Sequence, residues 1–234
     1  MGRPGDRPTP RVWLFDLDDT LHDASGAAFG GINEAMTAYI AERLSLTLED
    51  AQALRTRYWR RYGATLLGLL RHHDVSAPHF LEQTHRLPGL EDRLRRHPHD
   101  AAALNALRGR KYVLTNAPLA YAERVLRALG LRHLFDGLIP VERMRMFGHW
   151  RPKPDRRMFR QLLARLRVAA SQCVLVEDTL DHQKAARGVG LKTVWMQRWG
   201  AAGRPGVPPP RRRRRPSYVH ARIASLQRLR RHRW

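Results

Sequence analysis

The sequence predicts an α/β protein in which a mostly parallel sheet is flanked by helices and an all-helical segment is inserted into the chain. Two observations support this. Over residues 98–199, short apolar runs that suit buried strands alternate with amphipathic segments, as in consecutive βαβ units. One more apolar run stands alone near the start, and residues 24–97 after it show apolar residues at helical spacing. We therefore expect a helical insertion directly after the first strand.

The first strand is predicted over Arg11–Leu17, where the apolar run suits a buried strand. Thr47 followed by Glu49 and Asp50 is typical of a helix start, and Gly63 is expected to end the helix that follows. The helices expected in the insertion run over Ile32–Leu44, from Thr47 to about Tyr62, over Ala64–His72 and from Pro78 onward.

The second part of the chain predicts the remaining sheet. The expected strands are Tyr112–Thr115, Gly137–Val141, Cys173–Glu177 and Lys192–Met196. The expected helices are Leu119–Leu129, Asp155–Leu166 and Leu180–Val189, the first and last followed by Gly130 and Gly190. We therefore predict an α/β domain made of residues 11–23 and 98–199, a helical domain of residues 24–97, and a basic tail of residues 200–234.

Composition restricts the class of protein. The chain has 234 residues, of which 43% are hydrophobic, so it can build a sizeable core. Its single cysteine, Cys173, permits no internal disulfide and fits a reducing compartment. The first residues lack the apolar core of a signal peptide, and no apolar run is long enough to span a membrane. We expect a cytoplasmic protein.

The net charge of +22 is unevenly distributed. Residues 201–234 contain eleven arginines and no Asp, Glu or Lys, which supplies +11 of that charge. An Arg-rich coding background, attraction of an anionic substrate and nucleic-acid binding are all compatible with this pattern. We expect residues 200–234 to form a flexible tail that binds polyanions without specificity. A basic amphipathic helix over Ser217–Trp234, through Ile223, Leu226 and Leu229, is the less favoured alternative.

Two carboxylates end the first predicted strand. Asp16 and Asp18 are separated by one residue, and Thr20 follows. Strand alternation would place both carboxylates on one face, at the edge where open α/β sheets place their chemistry. Because like charges this close repel, we expect a divalent cation, a shared proton, or a nucleophile beside an acid/base partner.

Three further polar features follow other predicted strands or precede a helix. Thr115 and Asn116 close the second strand, Lys153 precedes a helix, and Glu177 with Asp178 closes the Cys173 strand. Each is common by itself as a turn or a helix cap. Their convergence on one edge of one sheet favours a catalytic site.

The order of these features resembles the four motifs of the haloacid dehalogenase-like (HAD) hydrolases, subfamily IA. Those motifs are D-x-D-x-T, a strand ending in Ser or Thr, a Lys, and an acidic pair; the corresponding residues here are Asp16, Asp18 and Thr20, Thr115, Lys153, and Glu177 with Asp178. The resemblance covers residues 11–199. It implies a Rossmann-like α/β core with a small helical cap, which we place at residues 24–97.

The resemblance also implies a role for each residue. Asp16 would be the nucleophile that forms an aspartyl-phosphate, and Asp18 the general acid/base. The implied Mg²⁺ ligands are Asp16, the Asp18 backbone carbonyl, Asp178 and, in a supporting position, Glu177. The implied phosphate-binding residues are Thr115, Asn116 and Lys153. In this family an acid two residues after the nucleophile goes with phosphatases and phosphomutases rather than with halide-removing members. The resemblance therefore implies a phosphomonoesterase, with a mutase as the less favoured alternative.

The cap narrows the expected substrate. Residues 62–69 are similar to the Y-G-x-T-L-x-G-L segment of pyrimidine 5′-nucleotidases, and residues 80–85 to the F-L-x-x-x-H that follows it. The resemblance implies a pyrimidine nucleoside 5′-monophosphate as substrate, with Tyr62, Thr65 and His85 as weaker candidate contacts, although packing also explains them. Arg86 and His182 depart from the pattern. A broad phosphoglycolate or sugar-phosphate phosphatase and a nucleic-acid-binding protein that uses the tail are the alternatives.

Overall fold

The computed structural model describes residues 11–199, 214–232 and 234. Its main sheet has six strands in the order β3-β2-β1-β6-β7-β8, and all neighbouring strands run parallel. The strands are β1 Val12–Phe15, β2 Arg110–Leu114, β3 Gly137–Ile139, β6 Cys173–Glu177, β7 Lys192–Met196 and β8 Ala221–Ile223. A separate antiparallel pair consists of β4 Arg145–Met146 and β5 His149–Trp150.

Seven α-helices follow β1 before β2 begins. They are α1 Ala24–Ala27, α2 Phe29–Leu44, α3 Leu48–Tyr62, α4 Thr65–His72, α5 Ala77–Thr84, α6 Leu90–Arg93 and α7 Asp100–Asn105. The α-helices among the later strands are α8 Leu119–Ala128, α9 Arg156–Leu166 and α10 Leu180–Arg187. The predicted fold class, a mostly parallel sheet flanked by helices with a helical insertion, is confirmed. The residue boundaries of the predicted domains stay a prediction.

The apolar runs of the central strands face two separate cores. Trp13 and Phe15 of β1 belong to one buried cluster, whereas Val12 and Leu14 belong to the cluster on the other face of the sheet. Every residue of β1 and β6 is buried. Both faces of a parallel sheet are covered by helices, which explains why these strands are continuously apolar in the sequence.

The helical insertion has an apolar core of its own. Tyr39 and Ile40 of α2 pack with Leu54 of α3 and Phe80 of α5. The helix limits follow local signals. The Thr47 side chain accepts a hydrogen bond from the Asp50 N–H and begins α3, and Gly63 ends it with a φ of 80°.

The prediction of a flexible tail is wrong for the part of it that the structure describes. Ala221–Ile223 pairs with β7 as the edge strand β8, and Leu226–Arg231 forms a 3₁₀ helix. Ile223, Leu226 and Leu229 are buried, but not on an amphipathic α-helix. The physical reason is that these apolar side chains complete one core of the sheet. Residues 200–213 of the predicted tail lie outside the described residues.

No helix in the described part of the chain has the length and apolar character needed to cross a membrane.

Candidate active site

The strand register brings the predicted site residues to one edge of the sheet. Phe15 is paired with Val113 of β2 and Val176 of β6. Asp16 therefore lies level with Glu177, and its N–H donates to the Val176 carbonyl at 2.9 Å. Because β1 lies between β2 and β6, the residues that follow all three strands meet around Asp16.

Lys153 lies at the centre of this group and is 1% exposed. Its Nζ is 2.6 Å from Asp16 Oδ1 and 2.8 Å from Glu177 Oε2. The Asn116 side chain fixes the lysine backbone: its Nδ2 donates to the Lys153 carbonyl, and its Oδ1 accepts from the Lys153 N–H, both at 2.9 Å. The predicted Asn116 thus positions the Lys153 backbone with its side chain, and it also lines the cavity.

Two of three clustered carboxylates, Asp16 and Glu177, contact this lysine. Asp16, Glu177 and Asp178 each have a potential ligand oxygen within 4.8 Å of the others. Burial and the charge of Glu177 raise the pKa of Asp16 to about 8 and that of Asp178 to about 10. Burial alone would raise the pKa of Glu177, but Lys153 and His182 outweigh it and hold it below its ordinary value.

This donor set fits Mg²⁺. When ionised, the three carboxylates carry two more negative charges than the single lysine balances, and hard carboxylate oxygens are ligands that Mg²⁺ prefers. Glu177 is the most engaged of the three, because Oε2 accepts from Lys153 and from His182 Nδ1 (3.0 Å), and Oε1 accepts from the Thr179 N–H (3.1 Å). Asp16 and Asp178 therefore have more free oxygen capacity for a cation than Glu177.

Asp18 has different neighbours from Asp16. Its Oδ1 is 2.8 Å from Tyr121 Oη and 2.9 Å from His22 Nε2. Thr20, the last residue of the first motif, is fully buried. The structure therefore separates the two carboxylates that the sequence places side by side: Asp16 faces Lys153, and Asp18 faces two aromatic side chains.

Thr115 directly follows β2 and is 1% exposed. Its Oγ1 accepts a hydrogen bond from the Ala117 N–H at 3.0 Å. A hydroxyl that already accepts one bond still has its own proton to donate. Thr115 is thus placed to donate to an anionic ligand at this edge.

A cavity of about 890 Å³ opens over the site and is lined by both the sheet edge and the helical insertion. Its walls include Asp16, Asp18, Thr115, Lys153 and Asp178 from the sheet edge, and Asn33, Arg55, Trp59, Thr65 and His85 from the insertion. The structure thus brings the core residues predicted from the sequence together in one cavity.

The weaker candidates from the cap divide. Thr65 and His85 line the cavity, but Tyr62 is not part of its walls, since its hydroxyl pairs with His72 Nε2 at 2.6 Å. Thr65 Oγ1 donates to the Arg55 carbonyl, and His85 Nδ1 lies 3.0 Å from the Leu81 carbonyl. These contacts favour packing and backbone support as part of their role.

The two departures from the family pattern also have distinct surroundings. Arg86 is exposed and pairs with Glu82, whereas His182 lines the cavity beside Glu177. The sequence reasoning missed His22, Tyr121 and the cavity residues Arg55 and Trp59. For His22 the available signal was its spacing of four residues from Asp18 in a tight loop. Tyr121 is 103 residues from Asp18, so no local spacing indicates that the two side chains meet.

Residues 10–190 match the haloacid dehalogenase-like hydrolases, and the chain belongs to this family. The fructose-1-phosphate phosphatase YqaB of Escherichia coli (strain K12) is 36% identical over 80 residues, which is 34% of this chain and 40% of that protein. Phosphate metabolism protein 8 of Saccharomyces cerevisiae (strain ATCC 204508 / S288c) is 23% identical over 208 residues, which is 80% of this chain and 62% of that protein. The matches thus span less than two thirds of either relative.

The fold has a counterpart among solved structures. The HAD phosphatase from Thermococcus onnurineus shares 20% identity, with a TM-score of 0.62 over 94% of this chain and 96% of that one. Identity at this level shows the common fold alone.

Proposed function

We propose that the protein is a Mg²⁺-dependent phosphomonoesterase that acts through an aspartyl-phosphate on pyrimidine nucleoside 5′-monophosphates. The observation that carries the proposal is the arrangement at the floor of the cavity, where the Asp16 carboxylate lies 2.6 Å from Lys153 Nζ and within one cluster with Asp178. A carboxylate needs such positive charge near it, because it must approach a phosphoryl group that is itself anionic.

Each residue then has a task. An Asp16 oxygen attacks phosphorus and displaces the ester oxygen, while Asp18 gives that oxygen a proton. Lys153 and the Thr115 hydroxyl donate to the phosphoryl oxygens. In the second half-reaction Asp18 takes a proton from water, whose oxygen attacks phosphorus and releases Asp16. A bound Mg²⁺, held by Asp16, Asp178 and the Asp18 carbonyl with Glu177 behind them, would offset negative charge at the phosphoryl group.

The cap side of the cavity favours a large, partly aromatic leaving group. Phe29 and Trp59 line it with 36% and 60% exposure, so their rings are open to a ligand. Arg55 and Asn33 add polar groups, with the Arg55 guanidinium donating to Asn33 Oδ1 at 2.6 Å. Small-molecule pockets span roughly 300–1,000 Å³, so the cavity of about 890 Å³ is large enough for a nucleotide.

A sugar-phosphate phosphatase is the second candidate. It is supported by the relative named fructose-1-phosphate phosphatase, which is 36% identical over 80 residues. The catalytic arrangement would be the same, and only the leaving group would differ. We also propose that the protein is cytoplasmic and that residues 200–234 bind polyanions without specificity. Neither proposal depends on the catalytic mechanism.

A substrate panel tests the proposal. Release of phosphate would be measured from uridine and cytidine 5′-monophosphate, fructose 1-phosphate and phosphoglycolate, with Mg²⁺ and with EDTA. We expect the highest kcat/KM for the pyrimidine nucleotides and activity only with Mg²⁺. Asp16→Asn should be inactive, and Asp74→Asn, an exposed carboxylate outside the cavity, should match the wild type.

Different results contradict different parts. A higher kcat/KM for fructose 1-phosphate or phosphoglycolate than for the nucleotides would contradict the proposed substrate class and favour a smaller phosphomonoester. Full activity in EDTA would contradict the requirement for a cation. Turnover by Asp16→Asn would contradict the aspartyl-phosphate intermediate.

A further inference from the structure

We propose that Tyr121 and His22 are positioning residues that hold the Asp18 carboxylate by one oxygen and keep its other oxygen for proton transfer. This inference rests on the proposed function, since it assumes that Asp18 acts as the acid/base. Neither residue belongs to the four sequence motifs of the family. Both are identified by their contacts with Asp18.

The two donors converge on the same atom. Tyr121 Oη is 2.8 Å and His22 Nε2 is 2.9 Å from Asp18 Oδ1, and the two donor atoms are 3.4 Å apart. Within the described part of the chain, no side chain donates to Asp18 Oδ2. Two bonds to one oxygen fix the orientation of the carboxylate plane. The oxygen that remains is the one that can exchange a proton with the leaving group or with water.

Burial makes this arrangement rigid. His22 is 0% and Tyr121 1% exposed, whereas the Asp18 side chain is 18% exposed and lines the cavity. The two donors thus lie in the protein interior, and the Asp18 carboxylate lies at the wall of the cavity. A carboxylate held from its buried side can react with a ligand in the cavity without losing its orientation.

The hydrogen-bond partners identify Nε2 as the donor atom of His22. This nitrogen faces a carboxylate oxygen, which accepts, and so carries a proton. Its Nδ1 is buried and has no hydrogen-bond partner among the described residues. Tyr121 and His22 therefore both donate to Asp18 Oδ1.

The fold explains how the three side chains meet. Leu21 and His22 both direct their N–H to the Leu17 carbonyl, so the loop after β1 turns His22 back toward Asp18. Tyr121 lies in the first turn of α8, a few residues after Thr115. Its ring also packs edge-on against His85 of the cap, with centroids 5.6 Å apart. Tyr121 thus connects the acid/base to the phosphate-binding strand and to the cap.

The chemistry predicts which substrates will react more slowly when Tyr121 or His22 no longer donates to Asp18. Forming the Asp16–phosphorus bond breaks the bond from phosphorus to the ester oxygen, and Asp18 supplies the proton that this oxygen needs. A benzylic alkoxide is a poor leaving group that needs the proton, whereas 4-nitrophenolate leaves without one. A misplaced Asp18 should therefore slow the first ester much more than the second.

The experiment compares 4-nitrobenzyl phosphate with 4-nitrophenyl phosphate, two esters of similar size. The value of kcat/KM includes every step up to departure of the alcohol, so it isolates the first half-reaction. For Tyr121→Phe we expect kcat/KM to fall about 10- to 30-fold on the benzyl ester and less than about 3-fold on the aryl ester. Tyr39→Phe, which also removes a buried hydroxyl paired with a histidine, should leave both values unchanged.

A second pair of variants tests His22. His22→Gln retains a donor of similar reach, and His22→Leu removes it. We expect the ratio of benzyl to aryl kcat/KM to fall more in His22→Leu than in His22→Gln. If His22→Leu shows no cooperative thermal unfolding, and is therefore not folded, Tyr121→Phe decides the question by itself, because it removes only one oxygen atom.

Equal losses on both esters in Tyr121→Phe, or no loss on either, would overturn the inference, because a merely structural role does not depend on the leaving group. Failure of the proposed function gives a different result: the wild type would hydrolyse neither ester, or Asp16→Asn would hydrolyse both.

Discussion

In the metal-free protein, Asp178 faces more negative charge than Lys153 can balance. One lysine contacts two carboxylates, Asp16 and Glu177, so Asp178 faces a net charge of about −1 from this group. The change Asp178→Asn removes the third carboxylate and keeps the shape of the side chain. We expect this variant to be more stable than the wild type without metal and to lose its response to Mg²⁺.

The magnitude follows from the spacing. Ligand oxygens of the cluster lie within 4.8 Å of one another. Ionising Asp178 beside one net negative charge at that distance costs about 3 kcal/mol at an effective dielectric constant of about 20. Because the pKa of Asp178 is raised to about 10, the folded protein keeps this carboxyl protonated near pH 7, whereas the unfolded chain releases the proton. This difference favours the unfolded state by a free energy of the same order, and Asp178→Asn removes it. For a protein of this size, 1 kcal/mol shifts Tm by about 2–4 °C. The gain in EDTA is therefore about 6–12 °C, reduced by any hydrogen bond that the Asn loses.

Thermal unfolding in EDTA and in excess Mg²⁺ measures both parts. Wild-type protein should gain about 2.7 kcal/mol when Mg²⁺ is at 100 times its Kd, and Asp178→Asn much less. Asp74→Asn is the control. Because the chain carries a net charge of +22, removing a surface carboxylate should not stabilise it. A Tm of Asp178→Asn in EDTA at or below that of Asp74→Asn, or an undiminished Mg²⁺ shift, would refute the reasoning.

Three further predictions concern other parts of the molecule. Leu229→Ala should lower the free energy of unfolding in urea by about 2–5 kcal/mol, because this tail side chain is fully buried; an unchanged midpoint would contradict the docked tail. Lys153→Met should lower kcat/KM about 10²- to 10³-fold at saturating Mg²⁺, and a loss below 10-fold would leave the lysine without a catalytic role. Trp59→Ala should lower kcat/KM for uridine 5′-monophosphate about 10-fold but for fructose 1-phosphate less than 3-fold, and equal losses would argue against base stacking.

Local signals made much of the fold predictable. The central strands are continuously apolar because helices cover both faces of the sheet, so β1 and β6 are visible in the sequence. Thr47 and Gly63 mark the ends of α3 because capping is a property of a few adjacent residues. The site was predictable for a related reason: its polar residues lie at or just beyond the ends of strands, or shortly before a helix.

What the sequence did not predict depends on contacts between distant segments. The edge strand β8 has three residues, too few for a periodic pattern, and it exists because β7 offers a free edge beside an incomplete core. Asn116 holds the Lys153 backbone across 37 residues, and its side chain gives no local sign of this. The apolar residues Ile223, Leu226 and Leu229 were visible in the sequence, but the arginine-rich composition around them favoured a flexible tail.

The two carboxylates of the first motif show how one short loop can divide a reaction between neighbours. Asp16 continues the pairing of β1 and lies beside Lys153. Beyond Asp18 the chain turns sharply: Asp19 has a φ of 54°, and its carboxylate accepts from the Ser25 N–H at 2.8 Å. This turn is what returns His22 to Asp18. A nucleophile gains from a fixed cation, since it must stay ionised next to a phosphate. An acid/base must gain and lose a proton, and a fixed cation would keep it ionised. Tyr121 and His22 orient Asp18 through hydrogen bonds to one of its oxygens, so the same loop can place a nucleophile and a proton carrier two residues apart.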